Sequence, residues 1–378
     1  MSLNTGPRVK IAKWQNMTRC FSALDSRVTR RPALWREVNR MSSTQATVAN
    51  ASENTELRSG PALVRATKPY AQEDRKRSWR ELIITMVCTL GALSVGLFAP
   101  IWAKPVGMVF AGLLIIRFFI IFHDTMHGAL FTKAPVAQFI MTVYGLLIMS
   151  PRSIWKESHD YHHKNNCRLP STSIGSYPVV TTRLWRRMSP TEKRAYRFAR
   201  SPLTIVFGYF TIFLGQMCGQ AFFRNPKLHW QSGLAPFVHF GLVALVGFTL
   251  GWDAAFFGVA GPLMLACALG SYLFYAQHNA PGIYFAPRTA WKYDQAALRS
   301  STMFDMSPAM HWFTGNIGYH HVHHLNHRIP FYRLREAMEG IPELQNPVRT
   351  DWRVGTIGAA LRLKLWDPTK EELVPFPS

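Results

Sequence analysis

Three short stretches hold the residues best suited to bind a metal: His123-Asp124-Thr125-Met126-His127, His159-Asp160-Tyr161-His162-His163 and His320-His321-Val322-His323-His324. On an α-helix, positions three and four apart share a face. His123 can therefore join His127 on one metal, His159 can join His162 and His163, and His320 can join His323 and His324. His321 is left as a bystander, because its neighbour His320 completes the spacing. Neutral imidazole serves Fe, Zn, Cu and Ni alike, so ligand number has to discriminate. Eight imidazoles exceed the four ligands of a closed zinc site and suffice for two metals with positions open to oxygen. Two non-haem irons, with O2 as co-substrate, are the economical expectation. A neutral ligand set leaves the ferrous charge uncompensated, which favours binding of reduced oxygen and suits attack on an unactivated C–H bond. The Glu and Glu-x-x-His pairs of soluble di-iron bundles are absent from these stretches.

One isolated histidine joins the set. His278 ends an apolar run in Tyr275-Ala276-Gln277-His278-Asn279 and is expected as a ninth ligand. His229, His239, His311 and His327 read as ordinary surface or core residues. Asp124 and Asp160 each adjoin a ligand, and either accept the far imidazole N–H, fixing ring orientation, or sit as helix-terminus charges. Tyr161, Tyr319 and Trp155 read as packing residues without a chemical role.

The elements that must carry these residues are apolar. The 378-residue chain is 48% hydrophobic and only 17% charged, which is skewed for a soluble enzyme. Runs at about 82–103 and 105–122, separated by a Lys104-Pro105 corner, approach the ~20 residues that cross a bilayer. Further runs lie at about 136–150, 202–223, 234–251 and 254–277. If all histidines meet in one site, each stretch must emerge on one side of the membrane, so an even number of crossings separates His163 from His278. The 136–150 run is too short to span, which leaves 234–251 and 254–277 as the second hairpin and makes 136–150 and 202–223 interfacial or re-entrant. A helix from 105 through His127 would be ~35 Å long, against a ~30 Å hydrocarbon core. His123 and His127 then fall at its boundary.

The net charge of +22 invites a nucleic-acid reading, but no reader motif accompanies it. The cations cluster instead before the first run (Arg75, Lys76, Arg77, Arg80) and between runs (Arg183, Arg186, Arg187, Lys193, Arg194, Arg197, Arg200), as the positive-inside rule expects of cytoplasmic segments. The expected fold is an all-α integral membrane protein: four spans in two hairpins, interfacial helices, and a cytoplasmic helical cap carrying the di-iron site. Residues 1–75 read as a basic leader, disordered or processed. It is either an organelle transit peptide or the product of a start upstream of Met41. The domain proper is expected over 76–345, and 346–378 as a cytoplasmic tail. The membrane is a bacterial inner membrane, or an organelle membrane if the leader is a transit peptide. Cys20, Cys88, Cys167, Cys218 and Cys267 are scattered and read as free thiols.

Over residues 80 to 345 the chain resembles the membrane fatty acid desaturase family, whose pattern is H-x3-4-H, H-x2-3-H-H and a late H-x2-H-H, with one extra histidine before the last. Gly315-Asn316-Ile317-Gly318-Tyr319-His320, His323-His324-Leu325, Arg328-Ile329-Pro330 and Gln277-His278-Asn279-Ala280-Pro281 resemble the acyl-lipid members of the omega-6 or delta-12 type. The resemblance implies a di-iron centre, O2, two electrons from a carrier, and removal of two vicinal hydrogens. Acyl-CoA desaturases carry an Asn four residues before the extra histidine; here it is Phe274, which argues against the acyl-CoA type. No His-Pro-Gly-Gly haem signature of a fused b-type cytochrome is present. A separate donor is implied, ferredoxin or a b-type cytochrome, drawn by the basic surface. The same surface would also attract anionic lipid. The same site also suits a fatty acid hydroxylase or a carotenoid hydroxylase or ketolase. A metal transporter would instead spread histidines through membrane depth.

Overall fold

The computed structural model describes residues 57–169 and 177–377. The disorder, transit and Met41 expectations fall on residues 1–56 and lie outside the described residues, as does Cys20. The last part of the expected leader is folded. Helix α1 (Gly60–Ala66) buries Leu63 completely. Arg58 pairs with Glu343 at 2.8 Å, and Asn326 donates to Thr67 Oγ1 at 2.7 Å. The boundary at 75 therefore moves towards the N-terminus.

Among the described residues four helices are long and apolar enough to cross a membrane: α2 (Arg75–Phe98), α3 (Lys104–His127), α6 (Trp230–Leu250) and α7 (Trp252–His278). These are the expected two hairpins with shifted ends. The first corner is Ala99–Ala103 rather than Lys104-Pro105, because Pro100 cannot continue α2 and Ala99 is already extended. Lys104 instead opens α3, with Pro105 in its first turn, where the missing N–H costs nothing. Apolar side chains on the spans face outwards, among them Val87, Leu90, Phe237 and Phe248, each more than 60% exposed. Such faces suit contact with lipid.

At the end remote from the histidines the hairpins are pinned together. Lys104, buried on α3, reaches Asp253 at 2.7 Å and the Leu97 carbonyl at 3.1 Å. Trp102 and Trp252 stand exposed beside them, as at a membrane–water boundary. Nearby, Gly96 lies against the backbone of Phe257 and Gly258, the close approach that small residues allow between spans. A Cβ at Gly96 would stand 2.4 Å from the Phe257 carbonyl oxygen. Gly96→Leu is expected to lower the melting temperature in detergent, by the ~1–3 kcal/mol typical of overpacking or more; Gly91→Leu, where a Cβ meets nothing within 4 Å, serves as the control.

Inside the span region Arg117, 2% exposed, pairs with Glu81 at 2.6 Å and lies over the Trp312 ring at 4.1 Å. It also donates to the Trp312 carbonyl. The arginine thus ties α2 and α3 to the turn that precedes the third histidine stretch. Removing Glu81 alone would leave a buried charge uncompensated, a loss of ~3–5 kcal/mol.

Helix α4 (Pro135–Leu147) is too short to cross. The 202–223 run is interrupted: a turn of helix over Pro202–Val206 is followed by a π-helical segment, Tyr209–Gln220. The wider π winding, rare at this length, is associated with functional sites. Helix α5 (Arg152–Lys164) and helix α8 (His320–Leu325) carry the second and third histidine stretches.

The cap is not purely helical. β1 (Arg168–Leu169) pairs in parallel with β2 (Ala286–Pro287), β3 (Thr302–Phe304) in parallel with β4 (Val348–Thr350), and β5 (Leu365–Asp367) antiparallel with β6 (Glu372–Val374). The expected tail is consequently part of the body. β4 backs β3, and Trp366 is buried with Cys167, Val179 and Phe285. Apolar residues such as Leu365, Trp366 and Leu373 gave 346–378 a reason to fold that its polar surroundings masked.

Candidate metal centre

Each histidine stretch is placed by a helix end. α3 stops after His127 because Gly128 takes the left-handed conformation, φ 70°, that an L side chain disfavours. His123 and His127, one turn apart, lie with ring centroids 4.6 Å apart. α5 presents His159, His162 and His163; α8 presents His320, His323 and His324; His278 is the last residue of α7.

The rings converge in two groups. His123, His127, His159, His163 and His323 form one; His162, His278, His320 and His324 form the other; within each, the ligand atoms all lie within 4.8 Å of one another. All nine expected residues are present, and the helical stretches split between groups rather than mapping one to one. In the first group His159 Nε2 stands 3.0 Å from His123 Nε2 and 3.1 Å from His163 Nε2, which is 3.1 Å from His323 Nε2. In the second, His162 Nε2 is 3.1 Å from His278 Nε2 and 3.2 Å from His324 Nε2, and His320 Nε2 is 2.9 Å from His278 Nε2.

This donor set fits metal ions. Two nitrogens at right angles about an ion with ~2.1 Å bonds stand ~3 Å apart. Without an ion, these Nε2 atoms would have chiefly one another to meet in a buried space. Both ring nitrogens of His127 are buried without a hydrogen-bond partner. Burial, reinforced by neighbouring imidazoles, holds His159, His162, His163, His320, His323 and His324 well below the ordinary histidine range. They are neutral at pH 7, the form that ligates.

The two aspartates separate. Asp124, 1% exposed, accepts from His123 Nδ1 at 2.8 Å and from the Phe331 N–H at 2.7 Å, so it orients a ring and ties it to the loop after α8. Asp160 does not hold an imidazole: one turn from Lys156 on α5, it pairs with that ammonium at 2.9 Å, and the expectation for it is corrected. Asp124→Asn cannot accept from both donors with one oxygen and is expected to weaken metal retention against a chelator 10–100-fold. Asp160→Asn is expected to stay within about twofold, read by metal analysis after dialysis.

His278 Nδ1 meets the Ser300 carbonyl at 2.9 Å. His321 turns away to the Leu344 carbonyl at 3.1 Å. His229 is held by Ser153 and Glu157, His239 by Tyr209 and the Leu147 carbonyl, and His311 stacks on Tyr319. Trp155, read as a packing residue, stacks on His159 at 4.3 Å and touches His123 and His127. One residue was missed. His327 lies 4.6 Å from the His127 ring and 5.1 Å from that of His163, three positions after His324. Burial lowers its pKa to about 4.

The centre opens on an apolar cavity of about 1090 Å³ of empty space, mouth included. His123, His159, His162 and His320 line it at one end, and Ile115, Phe213, Leu263 and Cys267 extend it along the spans. Phe274 lies against His162 and His278 at this wall.

A helical protein with four candidate spans, whose histidines form two metal-capable groups beside an apolar cavity, is an integral-membrane polyhistidine protein. The family model described as fatty acid desaturase matches residues 99–352, and the chain belongs to that family. It is 30% identical over 332 residues to a fatty acid desaturase of Bacillus subtilis (strain 168), covering 86% of this chain and 93% of the relative. It is 23% identical to the sn-1 oleoyl-lipid 12-desaturase of Anabaena variabilis (81% and 89% covered). It is 26% identical to the chloroplastic omega-6 fatty acid desaturase of Brassica napus (76% and 66%).

Proposed function

We propose that the chain is an O2-dependent desaturase that introduces a double bond into a lipid-linked acyl chain, with two irons held by the nine histidines. The observation that carries this is the pair of Nε2 clusters at the end of an apolar, span-level cavity. Iron bound there supplies the oxidising power, drawn from O2 and two electrons, for removal of two vicinal hydrogens with water as the other product. His123, His127, His159, His163 and His323 would hold one ion, and His162, His278, His320 and His324 the other. Asp124 fixes the His123 ring, Trp155 and Phe274 close apolar walls on the imidazoles, and the cavity keeps an acyl chain dry and extended beside them.

The lipid-linked reading draws support from the oleoyl-lipid relatives and from Phe274, which leaves an apolar wall where acyl-CoA enzymes have an amide. The exposed cations Arg183, Arg186, Arg187, Arg194 and Arg197, near the His278 end of α7, favour a cytoplasmic active face and an acidic external donor such as ferredoxin. Expression in a host carrying oleoyl lipids and an active donor, followed by fatty-acid chromatography, is expected to yield a dienoic acid. Its absence would refute the substrate assignment, and a product heavier by one oxygen would show hydroxylation.

A further inference from the structure

The chain after the second histidine stretch and the end of α7, with Phe285 beyond it, line a smaller cavity of about 350 Å³ of empty space, opening included. It meets the acyl cavity at His162, Tyr177 and Phe274. Arg200, 1% exposed, lines it. One terminal nitrogen, Nη2, donates to Asn279 Oδ1 and to the Leu363 carbonyl. Nε is buried without a partner. A second buried cation adjoins: Lys364, 8% exposed, donates to the Arg200 carbonyl at 2.5 Å.

The Arg200 guanidinium also lies over the Tyr275 ring at 4.9 Å. Among the described residues no carboxylate pairs with Arg200 or Lys364. The ionisable groups that feel Arg200 include Cys167, Tyr177 and Tyr196, and burial holds all three in their neutral forms. Two buried cations without a paired carboxylate are costly, and an anion in the cavity would lower that cost. Guanidinium nitrogens suit the oxygens of a phosphate, and the side chains of Asn279 and Tyr177 add polar wall. Exposed Arg186, Arg187 and Arg194 belong to the chain segment leading into Arg200 and raise the local concentration of anions.

We propose that this cavity is a binding site for a phosphate-class oxyanion, free or carried on a lipid headgroup, with Arg200 as its principal donor. The site does not depend on the desaturase reading, and its test reads binding without turnover. Full-length protein in detergent is titrated calorimetrically with inorganic phosphate, with dioctanoyl phosphatidic acid, and with dioctanoylglycerol as the uncharged control. Saturable binding of inorganic phosphate identifies a free-anion site; binding of the phosphatidic acid alone identifies a headgroup site; either supports the proposal. Binding of neither, or equal binding of dioctanoylglycerol and the phosphatidic acid without phosphate binding, overturns it in the wild type alone. Arg200→Gln is expected to weaken binding at least tenfold and Arg200→Lys by less than about threefold. Undiminished binding in folded Arg200→Gln overturns the proposal. So does loss of binding in the exposed triple variant R186Q/R187Q/R194Q, which would put the anion on the outer surface; retention there supports it.

Discussion

On the two-iron reading, His320→Ala is expected to retain close to one iron per chain instead of two and to lose roughly a thousandfold in desaturation, ~4 kcal/mol of barrier. The asymmetry of the two groups dictates this. The second has four histidines, so removing His320 leaves three, while the first has five and keeps four after any single loss. His127→Ala should therefore still bind two irons, more weakly, and keep a measurable fraction of activity. His321→Ala, whose ring faces the Leu344 carbonyl, should keep both metals and lose only ~1–3 kcal/mol of stability from the unpaired carbonyl. Elemental analysis against protein concentration, with acyl-product chromatography, decides it. Two irons retained in His320→Ala would overturn the assignment of that group.

Gly270→Phe is expected to abolish most turnover of 18-carbon chains, at least twentyfold, while metal content and melting temperature stay near wild type. Gly270 lines the acyl cavity, and a Cβ built there meets nothing within 4 Å. Alanine is therefore accommodated and gains ~0.5–1 kcal/mol of helix stability, with activity within about twofold. A phenyl ring grows into space the substrate needs, on the same α7 face as Phe274 one turn later. Shorter chains should suffer less. Equal turnover of 18-carbon chains by Gly270→Phe would show that the substrate lies elsewhere.

Much of this was legible because helical spacing and membrane crossing are both periodic. Positions three and four apart named the convergent rings, and crossing parity identified which of six apolar runs span. The division into two groups was not legible, since it depends on how α3, α5, α7 and α8 approach one another. Asp160 was misread because Lys156, one turn back, competes for it. The folded part of the leader and the C-terminal segment stabilise themselves through long-range partners, Arg58 with Glu343 and β4 with β3, which no local pattern announces.

The pairing of β4 with β3 bears on how the protein is made. Thr302–Phe304 leads into the third histidine stretch, with Phe304 N–H on the Gly318 carbonyl at 2.8 Å, and its supporting strand arrives only at Val348–Thr350. Chains emerge N-terminus first. Both hairpins must be inserted, and almost the whole polypeptide released, before four histidines of the second group can meet. Assembly of the metal-capable groups is then expected to be a late step, and a product truncated ahead of Val348 is expected to lack the strand that backs β3.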